Sequence, residues 1–180
     1  MKILPALFTL LFFAAATLLI VNPEALNLSA MLNTSESKQF GHYEDVYKEL
    51  TLELTNGEER KISSSKAPVT ILNFWAAWCK PCLEEFPSLV ELRKTFSEDQ
   101  LQIIGINCDE EDQEKNIAKM TEEFSLNFDM VADKEGKLLN QFMINALPVT
   151  LIYKNGKVKI MSMGKKDFMA EELLEMIRNP

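Results

Sequence analysis

The chain has 180 residues, of which 26% are charged, and a formal net charge of −8 at pH 7. This length allows one globular domain with its own hydrophobic core and an additional segment, and the acidic charge argues against nucleic acid or anionic lipid as a partner. The three cysteines, at positions 79, 82 and 108, are too few for a disulfide framework, so they serve chemistry or are incidental.

The chain begins with an apolar segment that is typical of export signals. Residues 3–21 are almost entirely apolar, Lys2 precedes them and residues 22–24 end the segment. Two interpretations remain open: a cleaved signal peptide, or an uncleaved anchor of about the length that spans a bilayer. The sequence favours the anchor, because a cut near Ala16 would leave apolar residues on the mature chain and Leu28 is a poor residue before a cut at Ala30. The positive end would then be cytoplasmic and the domain outside.

The composition divides the chain into three predicted parts. We predict a signal anchor or signal peptide over residues 1–24, a tether over residues 25–46 and a folded domain over residues 47–180. The tether is predicted because residues 26–38 are rich in Asn, Ser, Thr and Glu, a composition that favours unpacked chain. His42 falls in this tether and is expected to be solvated.

Hydrophobic periodicity predicts alternating strands and helices in the domain. Leu50, Leu52 and Leu54 alternate with polar residues before Asn56-Gly57, a two-residue hairpin signal. The full prediction has strands at 49–55, 58–62, 69–75, 101–107, 128–132, 149–153 and 158–161, and helices after Cys79, after Asp109, at 137–142 and from Asp167. This order predicts a mixed sheet covered by helices on both faces, with parallel crossovers and an antiparallel C-terminal hairpin.

Two details of the helices follow from single residues. Pro87 lies inside the helix after Cys79 and should kink it, because proline removes a hydrogen bond and crowds the carbonyl group of Leu83. Asp109 is predicted to cap the next helix, and the acidic residues 109–114 are predicted to be its solvated start.

The central feature of the sequence is a pair of cysteines separated by two residues. Cys79 and Cys82 lie where a buried strand gives way to a helix. The N–H groups and partial positive charge of a helix N-terminus stabilise a thiolate, which makes Cys79 the candidate nucleophile and Cys82 the resolving partner. Lys80 adds a weak contribution of the same sign. Thiol–disulfide exchange needs a nucleophilic thiolate and a second thiol close to it, and this pair supplies both.

Such a pair has two other uses, as half of a zinc site or as two unreactive cysteines. A zinc site needs two more ligands, and His42 and Cys108 are the only histidine or cysteine residues left. We therefore expect no metal. Cys108 ends the second buried strand and is expected to be a small buried apolar residue, with a third redox partner near the pair as the alternative.

The residues around the pair resemble a known family. The segment from Asn73 to Pro87, NFWAAWCKPCLEEFP, resembles the active-site segment of the thioredoxin superfamily. Within it, Cys-x-x-Cys-x-x-Glu-Phe-Pro is similar to the TlpA/ResA/CcmG branch of membrane-tethered extracytoplasmic thiol–disulfide oxidoreductases. The resemblance extends from about Leu50 to Ile177 and implies an α/β thioredoxin fold. Its mixed central sheet would be flanked by helices, with an N-terminal β-hairpin extension and an extra helix–strand insertion.

The resemblance also implies roles for single residues. Pro148 matches the cis-proline that faces the dithiol, so that Leu147 would offer backbone groups to a substrate strand. Trp78 matches the aromatic residue that shields the dithiol. Glu85 matches an acid near the cysteines, a candidate proton acceptor for Cys82. The alternative for Glu85 is a surface glutamate of the helix.

One position departs from the wider superfamily. Cytoplasmic thioredoxins have a buried aspartate that relays protons at the position of Asn73, and an asparagine cannot relay them. The proton transfer is therefore left to Glu85 or to water, which supports the tethered branch.

The resemblance implies an extracytoplasmic thiol–disulfide oxidoreductase that reduces disulfides of substrate proteins, with apocytochrome c as a substrate of the branch. It would be re-reduced by a thiol–disulfide donor in the bacterial cytoplasmic membrane, and it would need no cofactor other than the Cys79–Cys82 disulfide. The alternatives are a copper-carrying protein of the same fold, a periplasmic disulfide oxidant or isomerase, and a peroxidase. A peroxidase of this superfamily needs a threonine before its cysteine, where this chain has Ala76 and Ala77.

Overall fold

A helix, α1 (residues 40–49), is the first element of the structure, a computed structural model that describes residues 40–179. The signal anchor or signal peptide predicted over residues 1–24, and the tether as far as residue 39, lie outside the described residues. None of the helices within residues 40–179 has the length and apolar character needed to cross a membrane.

The position of α1 corrects the predicted start of the domain. Residues 42–46 were assigned by composition to the tether, but they are helical and belong to the compact unit that starts at His42. The ring of Tyr47 stacks on that of Tyr153 with a centroid distance of 4.4 Å. The buried carboxylate of Glu44 accepts hydrogen bonds from Lys157 Nζ at 2.6 Å and from the N–H of Val158 at 3.3 Å. The folded domain therefore begins before residue 47.

This packing predicts an effect of Glu44 on stability. We expect Glu44→Ala to lower the free energy of unfolding by about 1–3 kcal/mol, because it leaves the buried N–H of Val158 without its acceptor. Urea unfolding followed by circular dichroism measures this change. Glu49→Ala on the same helix is the control, with an expected change below about 0.5 kcal/mol, since Glu49 is exposed and its ion pair with Lys61 lies at the surface. Equal effects of the two variants would contradict the inclusion of α1 in the cooperative domain.

Two separate sheets follow α1. The hairpin of β1 (Thr51–Glu53) and β2 (Glu59–Lys61) forms a two-stranded antiparallel sheet. Its loop differs from the predicted two-residue turn: Leu54 N–H donates to the carbonyl of Glu58, so that three residues form the loop, and Gly57 adopts a φ of +82°. The other five strands form the central sheet, β3 (Val69–Trp75), β4 (Leu101–Asn107), β5 (Asp129–Ala132), β6 (Val149–Lys154) and β7 (Lys157–Met163).

The central sheet is mixed, as predicted. Its strand order is β5-β4-β3-β6-β7. Strands β3, β4 and β5 are parallel to one another, β6 is antiparallel to β3, and β7 is antiparallel to β6. All residues of β3 and β4 are buried, which agrees with their continuous apolar sequence. The turn at Asn155 and Gly156 joins β6 to β7 as predicted, with both residues at positive φ.

The described helices after α1 are α2 (Lys80–Leu83), α3 (Phe86–Thr95), α4 (Gln113–Phe124), α5 (Lys137–Gln141) and α6 (Glu171–Arg178). The break between α2 and α3 confirms the kink predicted from Pro87. The starts of α4 and α6 differ from the prediction, because neither Asp109 nor Asp167 caps a helix; the Asp167 side chain instead accepts a hydrogen bond from Met169 N–H.

The register of β3 and β4 places the site. Trp75, the last residue of β3, pairs with Asn107, the last residue of β4. The chain then leaves both strands at the same edge of the sheet, and the N–H of Cys108 donates to the carbonyl of Trp75 at 2.8 Å. The cysteine pair and the residues after β4 are therefore neighbours at the carboxyl ends of parallel strands, where sites of α/β proteins form.

Candidate active site

The cysteine pair is oxidised and nearly buried. A disulfide joins Cys79 and Cys82, whose Cα atoms are 5.3 Å apart. Cys79 is the N-cap residue of α2 and its carbonyl accepts the N–H of Cys82 at 2.9 Å. Cys79 is 3% exposed and Cys82 is fully buried. Cys79 is therefore the member of the pair that a partner molecule can reach more readily.

A tight turn presents Cys79 at the end of β3. The N–H of Cys79 donates to the carbonyl of Ala76 at 3.1 Å, which closes the turn of residues 76–79. Trp78 lies in this turn and is 72% exposed. Its indole offers apolar surface to a partner beside the disulfide.

A groove of about 660 Å³ runs next to this turn. The residues that line it include Trp78, Cys108, Asp109, Ile144, Ala146 and Leu147. The peptide bond between Leu147 and Pro148 is cis, as the resemblance implies. Trp78 and Leu147, which lie 69 positions apart in the printed sequence, thus meet at one surface.

Glu85 is buried rather than exposed, which excludes the surface alternative. It lies between α2 and α3, where its N–H donates to the carbonyl of Cys82 at 3.2 Å. Its carboxylate accepts hydrogen bonds from Lys166 N–H at 2.6 Å and from Asn73 Nδ2 at 3.3 Å. Burial raises the pKa of Glu85 to about 7, although both hydrogen bonds act in the opposite direction. Glu85 can therefore change its protonation state near neutral pH.

Glu84, the residue directly before Glu85, lies in a different environment. Glu84 is exposed and pairs with Lys165 at 2.9 Å. That cation holds the pKa of Glu84 below its ordinary value. Of two adjacent glutamates, only Glu85 can serve as a proton acceptor at neutral pH.

Asp109 is the residue of this region whose position the sequence analysis gave wrongly. It is 4% exposed, and its carboxylate accepts hydrogen bonds from Ala77 N–H, Asn107 Nδ2 and Asn116 Nδ2. The predicted helix cap is therefore an acceptor for the turn that carries Cys79. The one signal available in the sequence was its place two residues after a buried strand that is parallel to β3.

Cys108 and His42 are also candidates from the sequence. Cys108 follows β4 beside the turn of the cysteine pair, and His42 lies on α1. Cys108 is a free, buried thiol whose Sγ donates to the carbonyl of Ile106, and burial raises its pKa. His42 is exposed, and its Nε2 lies 2.8 Å from the carbonyl oxygen of Gln141. Within the described part of the chain, no three His, Cys, Asp or Glu side chains are grouped so that they could hold a metal ion.

Comparisons with known proteins agree with this geometry. A sequence model of the AhpC/TSA family matches residues 44–161. The thiol–disulfide oxidoreductase ResA of Geobacillus thermodenitrificans is 38% identical over 57% of this chain and 59% of its own length. The ResA protein of Geobacillus kaustophilus is 36% identical over 68% of this chain and 70% of its own length.

A solved structure shows the same fold. StoA from Bacillus subtilis matches with a TM-score of 0.59 at 24% identity, over 71% of this chain and 94% of that one. The central sheet, the disulfide at its edge and the cis-proline are those of a thioredoxin fold. The chain therefore belongs to the AhpC/TSA family, and it is a thiol–disulfide oxidoreductase related to the ResA proteins.

Proposed function

We propose that the reduced protein donates two electrons to a disulfide of a substrate protein outside the cytoplasm. The thiolate of Cys79 attacks one substrate sulfur, the substrate S–S bond breaks and one substrate thiolate leaves. Cys82 then loses its proton and attacks the Cys79 sulfur, which releases the second substrate thiol and forms the Cys79–Cys82 disulfide. The observation that carries this proposal is the disulfide itself, in which Cys79 is the less buried residue.

Glu85 accepts the proton of Cys82 in this proposal. The hydrogen bond from the Glu85 N–H to the carbonyl of Cys82 places Glu85 one helical turn after Cys82. The raised pKa of Glu85 allows its carboxylate to take up a proton and release it near pH 7. Asn73 contacts Glu85 through its Nδ2, which donates to the Glu85 carboxylate at 3.3 Å and to Thr150 Oγ1 at 3.0 Å. No cofactor other than the disulfide takes part in these steps.

Trp78, Leu147 and Pro148 form the substrate-binding wall of this proposal. The large apolar side chains that are most exposed within the described residues are Trp78, Met143 and Met163. Met163 pairs with Val149, the residue directly after Pro148. Exposed apolar side chains next to the disulfide and next to the cis-proline suit an extended segment of a protein substrate.

The structure favours the reducing direction over the oxidising one. The helix behind Cys79 is only one turn long before it breaks ahead of α3, so few aligned peptide dipoles support a thiolate. Lys80 is exposed and its charge is screened by solvent. Under this proposal the N-terminal segment anchors the protein to the bacterial cytoplasmic membrane, where a thiol–disulfide donor restores the dithiol, and apocytochrome c is the substrate.

Trapping of the mixed disulfide tests the proposed function. We expect Cys82→Ala to accumulate a covalent complex with its substrate, because the first attack proceeds and resolution cannot. The complex is isolated from membranes of cells that express the variant and is released by dithiothreitol. The double variant Cys79→Ala/Cys82→Ala is the control and should trap nothing. Absence of any thiol-dependent complex with Cys82→Ala, or an equal yield from the control, would overturn the proposal.

A further inference from the structure

We propose that Asp109 is a positioning residue for the dithiol, whose buried carboxylate fixes the turn that presents Cys79 and whose charge lowers the thiolate population of Cys79. This inference deepens the function proposed above and rests on it, because it explains why the protein acts as a reductant.

Asp109 supplies the acceptor for a backbone N–H of the turn that carries Cys79. In the turn of residues 76–79, the carbonyl of Ala76 accepts the N–H of Cys79, whereas the N–H of Ala77 is not used within the turn. Ala77 is half-buried, and a buried N–H without an acceptor costs free energy. Both carboxylate oxygens of Asp109 accept this N–H, at 3.1 and 3.2 Å. The side chain therefore ties the turn to the end of β4.

Two asparagine side chains also donate hydrogen bonds to the Asp109 carboxylate. Asn107 Nδ2 donates to it at 2.8 Å and Asn116 Nδ2 at 3.0 Å. The donors thus come from β4, from α4 and from the turn, and all are neutral N–H groups. An ionised carboxylate accepts such bonds and donates none, so this set of donors matches its charged form. No ion pair found among residues 40–179 includes Asp109, so no cation compensates its charge.

The charged side chains around Cys79 differ in how strongly solvent screens them. Lys80 and the pair of Glu84 with Lys165 are exposed, so solvent screens them. Glu85 is a second buried carboxylate, and its charge varies near pH 7. Asp109 is buried and bonded two residues before Cys79, where a negative charge is screened least.

The sign of this effect favours electron donation. A nearby negative charge raises the free energy of the Cys79 thiolate and leaves the neutral thiol and the disulfide almost unchanged. The reduced protein is then less stable relative to the oxidised one, and the dithiol gives up its electrons more readily. Asp109 thus opposes the N–H groups of α2, which stabilise the thiolate.

The test compares Asp109→Asn with two matched variants. In the reduced protein we expect Asp109→Asn to raise the rate of Cys79 alkylation by iodoacetamide at pH 6.5 by about 3- to 10-fold. We also expect the equilibrium with glutathione to shift toward the dithiol, by a smaller factor than the alkylation rate, because the neutral thiol contributes equally to the reduced state of both proteins. Asp109→Glu keeps the charge and should stay within about twofold of the unmodified protein. The alkylated cysteine is identified by mass spectrometry.

Asp133→Asn controls for the loss of a buried carboxylate that lies near the end of β4 but is not bonded to the turn of residues 76–79. Asp133 is 2% exposed and accepts the N–H groups of Leu138 and Leu139 on α5, so its replacement should lower stability and leave the Cys79 alkylation rate unchanged. An unchanged rate in Asp109→Asn, or an equal change in Asp133→Asn, would overturn the proposal. If Asp109→Asn does not fold, Asp109→Ser is measured in its place.

These measurements separate the two proposals. Alkylation and the glutathione equilibrium need no protein substrate, so they report on Asp109 even if Cys82→Ala traps no complex. A trapped complex together with an unchanged alkylation rate in Asp109→Asn would retain the proposed function and overturn the role of Asp109.

Discussion

Cys79→Ala is expected to abolish the reduction of insulin disulfides by this protein, with a loss of about 10³-fold or more. Cys79 is the N-cap residue of α2 and is slightly exposed, whereas Cys82 is fully buried and cannot make the first attack on a protein disulfide. The turbidity of reduced insulin, with dithiothreitol as the electron source, measures the rate.

Cys108→Ala is the matched control for this loss. Its thiol is buried, donates to the carbonyl of Ile106 and has a raised pKa, so it supplies almost no thiolate at neutral pH. We expect its rate to stay within about twofold of the unmodified protein. A loss comparable to that of Cys79→Ala would identify Cys108 as a third redox partner, and full activity of Cys79→Ala would exclude the proposed mechanism.

The sequence predicted those features that local patterns specify. The apolar run of β3, the turn at Asn155 and Gly156 and the break before Pro87 each depend on neighbouring residues, and the structure confirms all three. The cis peptide at Pro148 followed from the family resemblance and is also confirmed.

Features that depend on distant partners were predicted less well. The helical residues 42–46 include the charged residues Glu44 and Asp45, and the burial of Glu44 comes from its bonds to Lys157 and Val158 on β7, more than 100 residues away. Asp109 follows the pattern of a helix cap, but its partner Ala77 is 32 residues earlier in the chain. Local propensity cannot reveal such contacts, because the groups that satisfy each carboxylate lie on other elements.

The two adjacent glutamates show the same limit most clearly. Glu84 and Glu85 have identical chemistry, and the sequence left a surface position for Glu85 open. The segment at Lys165 and Lys166 contacts the two glutamates differently. The Lys165 side chain pairs with exposed Glu84, while the Lys166 N–H donates to buried Glu85. Tertiary packing thus decides which of the two glutamates is the proposed proton acceptor.

Glu85→Gln is expected to change stability and activity in opposite directions. The folded protein holds the pKa of Glu85 near 7, above the ordinary value of 4.5 for an unfolded chain. The folded state therefore binds more protons between these values, and its stability falls as the pH rises from about 4.5 to 7, by at most about 3 kcal/mol. Glutamine cannot ionise, so we expect urea unfolding of Glu85→Gln to lose this pH dependence and to show higher stability at pH 8.

The activity of Glu85→Gln should fall because the resolving step loses its proton acceptor. We expect insulin reduction at pH 7.5 to drop by about 10²-fold and the inflection near pH 7 in the rate to disappear. Glu84→Gln is the control and should keep both the rate and the inflection, since Glu84 is exposed and paired with Lys165. Asn73 can bond to both protonation states of Glu85. Its Nδ2 donates to the carboxylate, and its Oδ1, which has no partner among residues 40–179, can accept from the acid after rotation of the amide. A variant with higher stability at pH 8, lower activity and no inflection fits only a residue that acts on protons, whereas unchanged activity would leave Glu85 without a role in resolution.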